Sequence, residues 1–217
     1  DGAWLRGQAQ VQGNTYIRVA PFEDIAGKNT REFRNEVNAD NVMVALDYNT
    51  TLLADSQASL PQRAVALCWV LHLIGDIHQP LHTGSLYSAN RFSTGDRGGN
   101  GIETDGRNLH ARWDSAVSSK GVKTNFETLL RQHSTTLERM SRQDNGDWSL
   151  WMQESRALLL NTVYTIDMKS AIAGSDDSPD KLRKFNLSDD YVETMKYHSG
   201  LRLALAGRRL ASWFEAK

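Results

Sequence analysis

The chain is 217 residues long, 40% hydrophobic and 24% charged, and its 25 basic and 26 acidic side chains leave a net charge of -1. Those values are ordinary for a globular protein and exclude the disordered, collagen-like and strongly basic nucleic-acid-binding classes. The longest apolar run, broken by His72, is shorter than the roughly 18 residues of a membrane span, and a lone cysteine, Cys68, leaves any metal to His and carboxylate ligands.

In chain order, residues 38–55 carry Val42, Ala45, Leu46, Leu52 and Leu53 at helical spacing, with Asp40 as the expected cap. Ser59-Leu60-Pro61 opens a second helix, since Ser caps well and Pro is tolerated in the first turn. That helix is apolar nearly all round and is therefore expected at the centre of the fold. Pro80 disfavours helical geometry at Gln79, so it should end near Ile77. Between Gly84 and Gly106 lie six of the 16 glycines, together with Asn, Asp and Ser, the composition of a long functional loop.

Beyond that loop, Asn108 should cap a helix through Trp113, Thr124 should precede one beginning near Phe126, and Asp147 should cap one with a stripe of Leu150, Trp151, Leu158 and Val163. Residues 174–179 read as a turn. A last helix from Ser188 to about Phe214 has Tyr191, Met195, Leu203, Leu210, Trp213 and Phe214 as its expected inner face. Strand signals are weak and no repeat is visible. The expected fold is all-α, a single-domain helical bundle over residues 1–217 with a long Gly-rich loop.

Four of the six histidines fall between residues 72 and 110. His72 and Asp76 stand four apart on one helix, and His110 and Asp114 repeat the spacing on another, which puts each imidazole and carboxylate on a shared face. One such pair is most often a solvent-exposed contact. Two pairs with His82, on a segment stiffened by Pro80, supply three imidazoles and two carboxylates, more than one structural metal site uses. The expected ligands are His72, Asp76, His82, His110 and Asp114. Carboxylates can bridge neighbouring ions, so a multinuclear centre for phosphoryl transfer is the favoured reading. His78 is expected at a loop edge or in solvent, His133 on an exposed helix face, and His198 as a partner-satisfied histidine of the last helix.

Three motifs carry a resemblance: Leu71-His72-Leu73-Ile74-Gly75-Asp76-Ile77-His78-Gln79-Pro80-Leu81-His82, then Asp96-Arg97-Gly98-Gly99-Asn100, then Asn108-Leu109-His110-Ala111-Arg112-Trp113-Asp114. In order and spacing they resemble the zinc-dependent single-strand nucleases of the S-one and P-one type, relatives of the zinc phospholipases C. The stretch from Tyr191 to Trp213 resembles that family's closing helix.

The resemblance implies an all-helical fold with three zinc ions in a cleft, acting on single-stranded DNA and RNA to leave 5′-phosphorylated products. It implies that His82, His110 and Asp114 hold one zinc, a site complete in this sequence, while His72 and Asp76 serve a close pair that Asp76 bridges, making Asp76 the catalytic residue. Asn100 and Asp96 are expected as substrate-side groups or as supports behind the ligands. The family's amino-terminal ligand segment is expected to be missing, and Thr15 stands where one of its histidines would be. Two other readings stay open: a phospholipase C-like phosphodiesterase, and a non-catalytic helical domain with one structural zinc. A secreted or periplasmic location follows from the resemblance. Three divalent ions would outweigh the small net charge, so charge balance does not argue against a phosphate-rich substrate.

Overall fold

The computed structural model describes residues 8–12, 15–18, 42–117, 122–141, 147–178 and 180–215. Helices α1 (Val42–Ala54) and α2 (Leu60–Asp76) pack side by side; the expected cap Asp40 lies outside the described residues. Ser59 opens α2 with a reciprocal capping box: its hydroxyl accepts from the Gln62 amide, and the Gln62 side chain accepts from the Ser59 amide at 3.0 Å. The helix closes at Ile77, three residues before Pro80, as the proline dictates.

The expectation that α2 is buried all round is corrected. Ala66, Val70, Leu73 and Ile74 are buried, but Leu60, Val65, Trp69 and Leu71 are exposed, so only one side meets α1 and the remaining core. Composition alone does not show that the opposite side carries no described partner.

After α2 come a single 3₁₀ turn (Pro80–His82) and the Gly-rich loop, whose first part forms strand β3 (Ser85–Tyr87). Strand β3 pairs antiparallel with β2 (Thr15–Arg18), which pairs with β1 (Gln8–Gln12), a small three-stranded sheet beside a mostly helical body. The weak strand signal misses it because the strands are three to five residues long and β2 joins β3 across most of the early chain. Thr15 sits at the end of β2, paired with Gln12.

Helix α3 (Leu109–Asp114) starts at Asn108, whose side chain accepts from the Ala111 amide at 2.8 Å. Helix α4 (Val122–Gln132) already includes Thr124, and α5 (Ser134–Ser141) follows it at once. Helix α6 (Trp148–Leu158), capped by Asp147, runs on into a π-helical turn over residues 159–163, and α7 (Ile166–Gly174) adds a helix not anticipated from periodicity. Helix α8 (Asp189–Glu215) spans 27 residues, and the Ser188 hydroxyl accepts from the Tyr191 amide at its start. Among the described residues no helix is long and apolar enough to cross a membrane.

The inner face of α8 is also corrected. Leu203 and Phe214 are exposed, whereas Arg202 and Arg209 are buried with Ala204, Leu205 and Ala206. Both arginines reach Glu154 on α6; Arg209 binds its two oxygens at 2.7 and 2.8 Å and lies over the Trp151 ring. Buried charge is tolerated because it is paired and hydrogen-bonded.

Candidate metal centre

Each predicted ligand is preceded or followed by a buried apolar residue: Leu73 after His72, Ile77 after Asp76, Leu81 before His82, Leu109 before His110 and Trp113 before Asp114. Leu73 and Ile77 belong to the α1–α2–α6–α8 core, and Leu81, Leu109 and Trp113 to the core under the Gly-rich loop. The polar residues thus emerge along the seam between two packed clusters. Full burial of a Leu or Ile side chain is worth about 1.5–3 kcal/mol, so these anchors hold the backbone beneath each ligand.

The five side chains form a continuous chain. His72 Nε2 lies 3.2 Å from Asp76 Oδ2, and His82 Nδ1 lies 3.3 Å from Asp76 Oδ1. On its other side His82 Nε2 is 3.7 Å from Asp114 Oδ1, and His110 Nε2 is 3.3 Å from Asp114 Oδ2. The rings of His82 and His110 stack. His82, His110 and Asp114 each offer a donor atom within 4.8 Å of the others, a geometry that one ion can bridge.

The hydrogen bonding around this triad leaves room for a cation. His110 Nδ1 is 2.7 Å from the Gly98 carbonyl, which only accepts, so Nδ1 carries a proton, and in the neutral imidazole Nε2 presents a lone pair to Asp114. A lone pair facing a carboxylate oxygen at 3.3 Å is repulsive unless a proton or a metal ion lies between them. The donor set, two imidazoles and a carboxylate with one imidazole backed by a carbonyl, is the kind that holds zinc.

The same groups are coupled electrostatically. Burial raises the Asp76 carboxyl, but its hydrogen bond with His82 and the charges of His82, His72 and His110 outweigh that and hold it below the ordinary carboxylate range. The bond to Asp76 in turn lifts the His82 imidazole against burial.

A cavity of about 470 Å³ opens beside these residues. Asp76, His82 and His110 form its polar side, and Val42, Ala45, Trp69, Leu73 and Ile77 its apolar wall. Among the described residues no Lys or Arg lines it, and cations held by these ligands would bring positive charge toward an anionic substrate.

The other predicted residues fall elsewhere. Asp96 is 1% exposed and bonded to backbone amides behind His110, away from the cavity. Asn100 ties the loop to α3, donating to the Arg97 carbonyl at 2.8 Å and accepting from Asn108 at 3.3 Å.

Two histidine expectations are corrected. His78 is buried, donating from Nδ1 to the Ile74 carbonyl at 2.7 Å and accepting from Arg209 at Nε2 at 2.9 Å. Burial, then the Arg202 charge, push it well below the imidazole range and keep it neutral. His133 is buried against Tyr197 of α8. His198 is half-buried, its ring edge against Tyr197.

A residue missed from sequence is Gln79. Its Oε1 accepts from the Leu81 amide at 2.5 Å, capping the turn that carries His82, while its Nε2 donates to Asp114 Oδ1 at 2.8 Å. Its position directly before Pro80 was the available signal.

Against known proteins, the model of the S1/P1 nuclease family matches residues 13–217. The chain belongs to the S1/P1 nuclease family. It is 28% identical to Nuclease S1 of Aspergillus oryzae over 182 residues, covering 78% of this chain and 59% of that protein. It is 42% identical to Endonuclease 2 of Arabidopsis thaliana over 177 residues, covering 77% and 55%, and 31% identical to Endonuclease 4 of the same plant over 159 residues, covering 68% and 48%. The chain thus spans about half to three-fifths of the length of these S1/P1 relatives.

Proposed function

We propose that this S1/P1 family chain acts in hydrolysing phosphodiester bonds of single-stranded DNA and RNA, leaving 5′-phosphorylated products, with zinc as its metal. The observation that carries the reading is the convergence of His82, His110 and Asp114 beside the cavity that His82 and His110 line. Zinc bound there would polarise a phosphoryl oxygen and supply hydroxide near neutral pH. His82, His110 and Asp114 would hold it, with Gln79 fixing the carboxylate of Asp114. Asp76, which contacts both His72 and His82, would serve a neighbouring ion as the catalytic carboxylate. Three ions and a secreted or periplasmic setting belong to the same proposal, supported by the family resemblance.

The test is digestion of single-stranded DNA and of lecithin, side by side, in zinc-supplemented buffer, with Asp76→Asn and His110→Ala as comparisons and metal per chain counted by elemental analysis. Release of 5′-phosphorylated fragments by the wild type, and at least about tenfold less by each variant, is the expected result. Cleavage of lecithin alone would replace the substrate. One ion per chain with no hydrolysis of either would make the centre structural.

A further inference from the structure

The Asp96-Arg97-Gly98-Gly99-Asn100 segment is a turn wedged between the two stacked imidazoles' backbones. Three successive residues are left-handed: Arg97 at φ 58°, Gly98 at 61° and Gly99 at 82°. A Cβ at Gly98 would sit 2.4 Å from the Leu81 carbonyl oxygen, so the turn lies flush against the residue that precedes His82. On its other side the Gly98 carbonyl receives His110 Nδ1 at 2.7 Å.

What holds this turn lies behind it, out of contact with the cavity. Asp96 Oδ2 accepts from the Gly99 amide at 3.0 Å and from the Tyr164 hydroxyl at 2.8 Å, while Oδ1 accepts from the Leu86 amide at 3.0 Å. The Gly98 amide donates to Ser85 Oγ at 2.9 Å. Asp96 and Tyr164 are each 1% exposed, and Tyr164 comes from the end of the π turn after α6, 68 residues from Asp96. A buried tyrosine hydroxyl and a carboxylate committed to one turn are costly groups to desolvate unless they fix something.

We propose that Tyr164 and Asp96 are positioning residues for the metal centre: through the Gly98–Gly99 turn they hold the carbonyl that locks His110 in the Nδ1–H tautomer, with Nε2 open toward Asp114. The consequence for metal affinity rests on the zinc reading above; the tautomer assignment does not. Loss of a comparable partner behind a metal-bound histidine weakens metal binding about 10–100-fold, because the ring must then select its tautomer and orientation at the moment of binding.

The experiment compares wild type, Tyr164→Phe and Ser85→Ala, with Val163→Ala as a neighbouring core change that leaves the turn's bonds alone. Long-range ¹H–¹⁵N NMR of the metal-free proteins at about pH 8, above the ordinary imidazole titration, reads the His110 tautomer. Cobalt titration against a competing chelator reads affinity, and thermal melting reads stability. The expected result is a single Nδ1–H form in wild type and Val163→Ala, a mixture of tautomers in Tyr164→Phe and Ser85→Ala, and cobalt affinity lowered about tenfold or more only in those two. Ser85→Ala, at a half-buried position, keeps the test open if Tyr164→Phe does not fold. An unchanged tautomer in the folded variants, or affinity within about twofold of wild type, overturns the proposal. If the wild type binds no cobalt, the zinc reading fails while the tautomer still decides this one.

Discussion

His82 and His110 stand ring against ring, their centroids 4.9 Å apart and their planes 13° from parallel. One comes from a proline-stiffened turn and the other from a six-residue helix, yet Asp114 meets both. Stacked imidazoles disfavour double protonation, and a shared carboxylate favours a cation between them. His110→Ala is therefore expected to lower cobalt affinity by more than about 100-fold, beyond the loss from a supporting residue, with little change in the melting of the metal-free protein. Visible absorption of bound cobalt measures it.

Gly98 allows no side chain. Its φ is 61° and the added carbon would meet backbone rather than a flexible side chain. Gly98→Ala is expected to cost about 2 kcal/mol or more in denaturant unfolding. Gly106→Ala makes the control: φ is 94° there, but nothing lies within 4 Å, so backbone strain acts alone and the loss is expected to be smaller.

A second buried relay joins α3 to α8. Trp113 Nε1 donates to the Tyr191 hydroxyl at 2.9 Å, and that hydroxyl donates to the Val163 carbonyl at 2.8 Å. Burial pushes the Tyr191 phenol up to about 12, so it stays protonated. Tyr191→Phe strands one donor and one acceptor in the core, and about 1–3 kcal/mol of stability should be lost for each left unpaired. Equilibrium urea unfolding reads the loss.

Glu154 sets an acid limit. Burial raises its carboxyl, but hydrogen bonds and charges from Arg209 and Arg202 prevail and hold it below the ordinary value of 4.5. A carboxylate depressed in the fold stabilises fully above its unfolded pKa, and that contribution fades as pH falls through the folded value. Melting temperature should therefore fall below about pH 4.5 in the wild type, and this part of the slope should vanish in Glu154→Gln. At neutral pH the variant should be less stable by about 3 kcal/mol, since two buried guanidiniums lose the carboxylate that balances their charge.

Much of the helical frame was legible because its signals are local. The Ser59 and Asn108 caps, the stop before Pro80 and the two His-Asp pairs each lie within a few residues of sequence. What stayed hidden joins distant parts of the chain. His78 looks like a loop histidine until Arg209 arrives on α8, and no local signal pairs Arg202 and Arg209 with Glu154, 48 and 55 residues away. Asp96 is expected from the sequence as a substrate-side group or a support behind the ligands, and its bond from Tyr164 shows it buried on the supporting side. Trp113, beside the ligand Asp114 in sequence, is 2% exposed and spent in the core. Among the described residues Trp69, half exposed on α2 and edge-on to His72, is the aromatic side chain that lines the cavity.

Helix α8 contributes to every apolar cluster of the described body: Met195 to the core beneath the Gly-rich loop, Ala206 to that of α1 and α2, and Ala204 and Leu205 to that around α5. A rod about 40 Å long at 1.5 Å per residue thus serves as a shared wall, and damage to any one cluster is felt by the others through it. Loosening the seam that carries the histidines then requires work against the whole helix.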